Sequence, residues 1–189
     1  MEHALAVYLV KQLNKIYPRT ELENIKMAYG IEIVLDNLLK MVCIIIVAAL
    51  TGLLRETLIV FIGFGVLRLS AGGRHMDRSS TCLLLSGLIT IGGGFLARLH
   101  ILARWECIIA LLVSCIVASV YAPSGTVNNP IHEKYKKVLK VRSIVTIGIY
   151  VLVILVQKDS LIQNALTIGT VCEVITILPV VNRKYNTIT

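Results

Sequence analysis

Charge is scarce in this chain. Asp, Glu, Lys and Arg make up 16% of its 189 residues, against roughly 25% in soluble domains. With 56% hydrophobic residues, an ordinary soluble domain is excluded, because a compact fold of this length has too little interior to hide so much apolar surface. No CxxC pair occurs and the cysteine count is odd at five, which argues against a disulfide framework or a dithiol redox site. His3, His75, His100 and His132 are scattered without ligand-spaced partners, so neither zinc nor another metal or cofactor is expected. Internal repeats and low-complexity tracts are also absent. Nucleic-acid binding would need a basic face on a folded soluble module, and none is visible.

What the chain has is apolar runs. They lie at Met41 to Leu54, Thr57 to Leu69, Cys82 to Ala97, Cys107 to Ala122, Ile144 to Val156 and Leu161 to Val181. Six spans of about 20 residues each account for most of the length. The expected fold is therefore all-α: a polytopic membrane protein with about six transmembrane helices forming a single domain over residues 1–189. Ahead of them, His3 to Tyr17 sets Leu5, Leu9, Leu13 and Ile16 on one helical face and stops at Pro18, the pattern of an interfacial amphipathic helix over residues 1–18. It lacks the cleavage site of a signal peptide and is expected to stay in the mature protein. Thr20 followed by Glu23 is a capping box opening the next helix.

The net charge of +8 is placed unevenly. One side of the bilayer receives Lys11, Lys15, Arg19, Lys26, Arg68, Arg74, Arg78, Lys134, Lys136, Lys137, Lys140, Arg142, Arg183 and Lys184, and the other Arg55, Arg98, Arg104 and Lys158. This bias puts both termini in the cytoplasm, with the loops after the second and fourth spans. Inside the spans, Glu32, Asp36 and Lys40 form one stripe, read either as a surface Asp36–Lys40 pair or as a functional polar site. Glu173 is an intramembrane carboxylate, functional by default and equally readable as a hydrogen-bonded structural group.

The two cytoplasmic loops hold the best-clustered polar residues. The first runs from Arg68 through Gly72, Gly73, His75, Asp77 and Ser79 to Cys82. In one continuous helix, His75 and Cys82 would lie about 10 Å apart along the axis. With His75 on a glycine-loosened loop and Cys82 in the first turns of the third span they can meet. There the helix dipole and nearby Arg74 and Arg78 favour a thiolate. The pair is a candidate nucleophile and base, or a loop His and a helix-start Cys without chemistry. The other cysteines sit in apolar runs as small hydrophobes. The second loop, Tyr121-Ala122-Pro123 to Pro130 and then Lys134, Lys136, Lys137 and Lys140, is turn-rich and basic. Its lysines serve topology, anionic lipid or an acidic peptide.

At Arg68, Gly73, His75, Ser79 and Cys82, and at Tyr121-Ala122-Pro123 with Pro130 and the lysines, the sequence resembles the accessory gene regulator B (AgrB) family. These are membrane cysteine endopeptidases of Gram-positive quorum sensing. The likeness covers essentially the whole chain, with one departure: Gly125 stands where the family commonly has Asp. It implies cleavage of an AgrD-like precursor peptide by Cys82 with His75 as general base, then cyclisation to a thiolactone or lactone. It assigns residues 68–82 to a catalytic loop and helix start, and 121–142 to a cytoplasmic basic loop. Arg68, Gly72, Gly73 and Ser79 become candidates for supporting His75 or the oxyanion. Lys134, Lys136, Lys137 and Lys140 become candidates for holding the precursor's acidic tail. A homodimer in the cell membrane is also implied. The alternative class is a small transporter without covalent catalysis, with Glu173 and the Glu32, Asp36 and Lys40 stripe along a polar path.

Overall fold

The computed structural model describes residues 2–72, 79–124 and 133–179. Seven helices account for nearly all of them, and no strand occurs among the described residues. The chain divides into two compact units, Met1–Val47 and Ala48–Thr189.

The first unit holds α1 (Glu2–Ile16) and most of α2 (Glu21–Leu50). Leu5, Leu9, Leu13 and Ile16 on α1 all remain exposed. The expected capping box opens α2: the Thr20 N–H donates to Glu23 Oε2 at 3.0 Å, and the Glu23 N–H donates to Thr20 Oγ1 at 3.4 Å. Lys40 pairs with Asp36 one turn apart, the plainer of the two readings of that stripe.

The second unit contains α3 (Leu54–Ala71), α4 (Ser79–Arg98), α5 (Arg104–Tyr121), α6 (Glu133–Val156) and α7 (Ser160–Ile177). With α2, the helices α4 to α7 are long and apolar enough to cross a membrane. α3 carries Arg55, Glu56 and Arg68, yet it lies alongside α7 over its whole length. Arg55 meets Asp159, the Gly63 backbone meets Leu166, and Arg68 meets Glu173. The numbers rise together, so the two helices run parallel and share about 20 Å of depth. Four reversals between α3 and α7 give the same parallel sense.

Glycine makes this contact close. A Cβ on Gly169 would lie 2.5 Å from the Val60 carbonyl oxygen, and one on Gly94 of α4 would lie 3.0 Å from the Thr57 nitrogen. Small residues at crossing points are the usual route to tight packing where lipid supplies no hydrophobic drive. α7 lies at the centre and buries Gln163, Asn164, Thr167, Thr170 and Glu173. α5 turns Trp105 outward at one end and Tyr121 at the other, where amphipathic rings suit the two membrane interfaces. Midway along α4 the helix widens to a π-turn at Leu88–Gly92, with the Thr90 hydroxyl donating to the Ser86 carbonyl at 2.7 Å.

One boundary differs from the sequence reading. Residues 133–142 were expected in a basic loop, but they form the first turns of α6. No proline or glycine interrupts the chain between Pro130 and Gly148, and lysine is a good helix former, so the span's helix continues into the basic segment.

Candidate functional site

The two sequence motifs converge at one end of the second unit. α3 closes at Gly72, whose N–H donates to the Arg68 carbonyl at 3.0 Å with φ +75. A side chain there would be strained and would also strike the Ser124 carbonyl oxygen at 2.4 Å. The Ser124 N–H in turn donates to the Ala71 carbonyl at 2.8 Å, forming a short parallel bridge between residues 72 and 124. The segment after Tyr121-Ala122-Pro123 is therefore stitched directly to the end of α3. Because the Gly72 N–H caps α3, an oxyanion contact at that position would have to displace it.

Arg68 lies one turn before Gly72. Its Nη1 donates to Glu173 Oε2 at 3.2 Å, and its guanidinium carbon lies 5.5 Å from the centroid of the Phe64 ring. The Glu173 side chain is fully buried, whereas Arg68 keeps 23% of its side-chain surface exposed. Glu173 thus answers to the structural reading in part: it neutralises a cation sunk in the helix bundle. Sequence reasoning singled out both residues without joining them. The available signal was that they are opposite charges embedded in otherwise apolar segments, 105 positions apart.

Cys82 is the fourth residue of α4, half-buried and unpaired in any disulfide. The first four N–H groups of a helix lack intrahelical partners, and Cys82 lies among the residues that carry them. Ser79 is the first residue of the helix. Cys82 is three residues into α4 and Arg68 three residues before the end of α3, which places both about 4 to 5 Å inside their helix ends. His75 and Gly73 lie outside the described residues. Of the remaining cysteines, Cys107 is fully buried in the core and Cys115 packs against it, as small hydrophobes do.

Lys134, Lys136 and Lys137 are exposed on the first turns of α6 and Lys140 is half-buried. At 100° per residue the four fall within one side of the helix. Lys136 pairs with Glu133 in the middle of that face.

Far from these residues, the opposite end is tied by side chains to loops. The Asn164 amide receives the Leu102 N–H at 2.9 Å and donates to the Leu102 carbonyl at 3.0 Å. Arg55 donates to Asp159 at 2.6 Å, Arg104 to the Gln157 carbonyl at 3.2 Å, and Arg98 to the Gly52 carbonyl at 3.2 Å. His100 Nδ1 lies 2.8 Å from the Ser160 hydroxyl. No cluster of three metal-binding side chains occurs among the described residues.

The accessory gene regulator B family model matches residues 3–177. An AgrB-like protein of Clostridium acetobutylicum is 28% identical over 186 residues, covering 96% of this chain and 89% of its own. Accessory gene regulator protein B of Staphylococcus saprophyticus is 27% identical over 161 residues, 85% of either chain. Protein FsrB of Enterococcus faecalis is 29% identical over 155 residues, 80% of this chain and 63% of its own. No solved structure matches the chain.

Proposed function

Because this chain belongs to the accessory gene regulator B family, we propose that it is a membrane cysteine endopeptidase that processes an AgrD-like precursor into a cyclic quorum-sensing signal. The observation that carries this reading is the position of Cys82: a free, half-buried thiol in the first turn of α4, seven residues after His75 in the sequence.

In the reaction, His75 takes the Cys82 thiol proton and the sulfur attacks the scissile carbonyl near the precursor's C-terminal end. The tetrahedral intermediate collapses, the departing amine takes the proton from His75, and the precursor remains as a thioester on Cys82. A Cys thiol or Ser hydroxyl within the bound precursor then attacks that thioester, releases Cys82 and closes the ring. Water must be kept from the thioester, since hydrolysis would give a linear peptide. A site at the membrane boundary serves that need. Arg68 supplies positive charge for the oxyanion, Ser79 supports His75, and the Lys134, Lys136, Lys137 and Lys140 face takes the acidic tail. Both termini and both site loops lie on the cytoplasmic side, and two copies associate in the cell membrane.

The transport alternative has less support. Asp36 is neutralised by Lys40 and Glu173 by Arg68, while Asn164, Thr167 and Thr170 bond to backbone carbonyls, so these groups do not offer an open polar path.

The test is reconstitution in nanodiscs with an AgrD-like precursor, under reducing conditions. Wild-type protein releases a C-terminal fragment, whereas Cys82→Ala and His75→Ala do not. Release by Cys82→Ala at the wild-type rate would overturn the reading. Crosslinking in the same nanodiscs reads the assembly state.

A further inference from the structure

The peptidase reading uses Arg68 but gives no role to the buried carboxylate that holds it. We propose that Glu173 is a positioning residue of the site: from the last helix it fixes the Arg68 guanidinium, so that Arg68 meets the negative charge that develops on the precursor's scissile carbonyl. This inference rests on the peptidase reading above.

The geometry has three parts. First, the pair bridges the C-terminal parts of the two parallel helices α3 and α7, at the end where Gly72 and Ser124 join the motif segments. Arg68 is one turn from that junction. Second, the guanidinium is held by Glu173 Oε2 and by the face of the Phe64 ring, among other contacts. A long side chain held on two sides loses its rotamer freedom before substrate arrives, which is what a preorganised electrostatic contact requires.

Third, burial is divided unequally. Glu173 is wholly enclosed, with its Oε1 lacking a hydrogen-bond partner among the described residues, while part of Arg68 stays accessible. A buried ion pair is by itself weak evidence for stability. The arrangement fits a carboxylate that backs a presented cation. Arg68 cannot give up its proton, so Glu173 also keeps the pair neutral in a setting where a lone charge is costly.

The experiment measures steady-state cleavage and the Cys82 acyl adduct in nanodiscs for wild type, Glu173→Gln, Glu173→Asp, Arg68→Ala, Arg68→Ala with Glu173→Gln, and the exchange Arg68→Glu with Glu173→Arg. Glu173→Gln lowers kcat by about 10- to 100-fold, less than the roughly 10²–10³-fold that follows loss of an oxyanion donor, with KM changed less than about threefold. Glu173→Asp regains part of the rate, and Glu173→Gln has no further effect once Arg68 is Ala. The exchanged pair restores folded yield but stays slow. Wild-type kcat in Glu173→Gln, additive losses in the double variant, or a rate recovered by the exchange would each overturn the proposal while wild type still forms its adduct. Absence of the adduct in wild type itself would overturn the peptidase reading, and this proposal with it.

Discussion

At the Asp159 end of the second unit, Arg55, Arg98, Arg104 and Asn164 each reach from a helix end to a loop or to a neighbouring helix start. At the Glu173 end, the ties include the Arg68–Glu173 pair and the backbone bridge of Gly72 with Ser124. The first end spends its polar side chains on closing connections. The second holds the Cys82 thiol, the partly exposed Arg68 side chain and a lysine face. Under the proposed function the chemistry belongs to the second end, so changes at the two ends should separate in kind.

The largest effect should come from Cys82→Ala, which removes the nucleophile: cleavage falls by at least about 10³-fold, the scale of single-residue losses in covalent catalysis, while folded yield in detergent is unchanged. Gly169→Val should break both ends together. The close α3–α7 contact cannot accept the side chain, and overpacking of this kind costs about 1–3 kcal/mol or more, read as loss of monodisperse protein on size exclusion.

Reversing charge at Lys136 and Lys137 should raise KM for an acidic precursor by about tenfold at low salt, with the gap to wild type narrowing as ionic strength rises and the Debye length falls below about 8 Å. KM unchanged at low salt would remove these lysines from substrate binding. Asn164→Ala at the closed end should cost about 1–3 kcal/mol of unfolding stability by leaving the Leu102 N–H and carbonyl unpaired. The cleavage rate per folded molecule should be kept. Arg55→Ala, which breaks a pair exposed on one side, should change stability by no more than about 1 kcal/mol. A loss of catalysis in either of the last two variants would break the proposed separation of the ends.

Much of this architecture is legible in the residues. Thr20 and Glu23 announce the start of α2 because a capping box is local, and Asp36 with Lys40 announces an ion pair because four residues make one helical turn. The six apolar runs correspond to α2 through α7. α3 was found by its apolar run, although its charges set it apart from the five helices long and apolar enough to cross a membrane; it lies against α7 and need not present a wholly lipid-compatible surface. The α6 boundary was misplaced because apolar content marks where lipid begins, whereas a helix ends only where the backbone is interrupted.

The Arg68–Glu173 pair was not legible, for a different reason. It is a contact between α3 and α7, and sequence spacing carries no information about which helices are neighbours. The closeness of Gly72 to Ser124 is hidden in the same way: the glycine signals a turn, but not the strand-like partner that makes any side chain impossible there. Cys82 was singled out by its place at a helix start, and the structure puts it in the first turn of α4. His75, its proposed base, lies outside the described residues.

The most direct measurement of the central claim is intact-mass spectrometry of the wild-type protein in nanodiscs, quenched in acid within the first turnovers on an AgrD-like precursor. The expected result is a mass increase equal to the N-terminal part of the precursor, mapped by proteolysis to Cys82, abolished by Cys82→Ala and released as a cyclic product when turnover is allowed to continue. A released C-terminal fragment with no adduct on Cys82 at any quench time, and undiminished cleavage by Cys82→Ala, would contradict it.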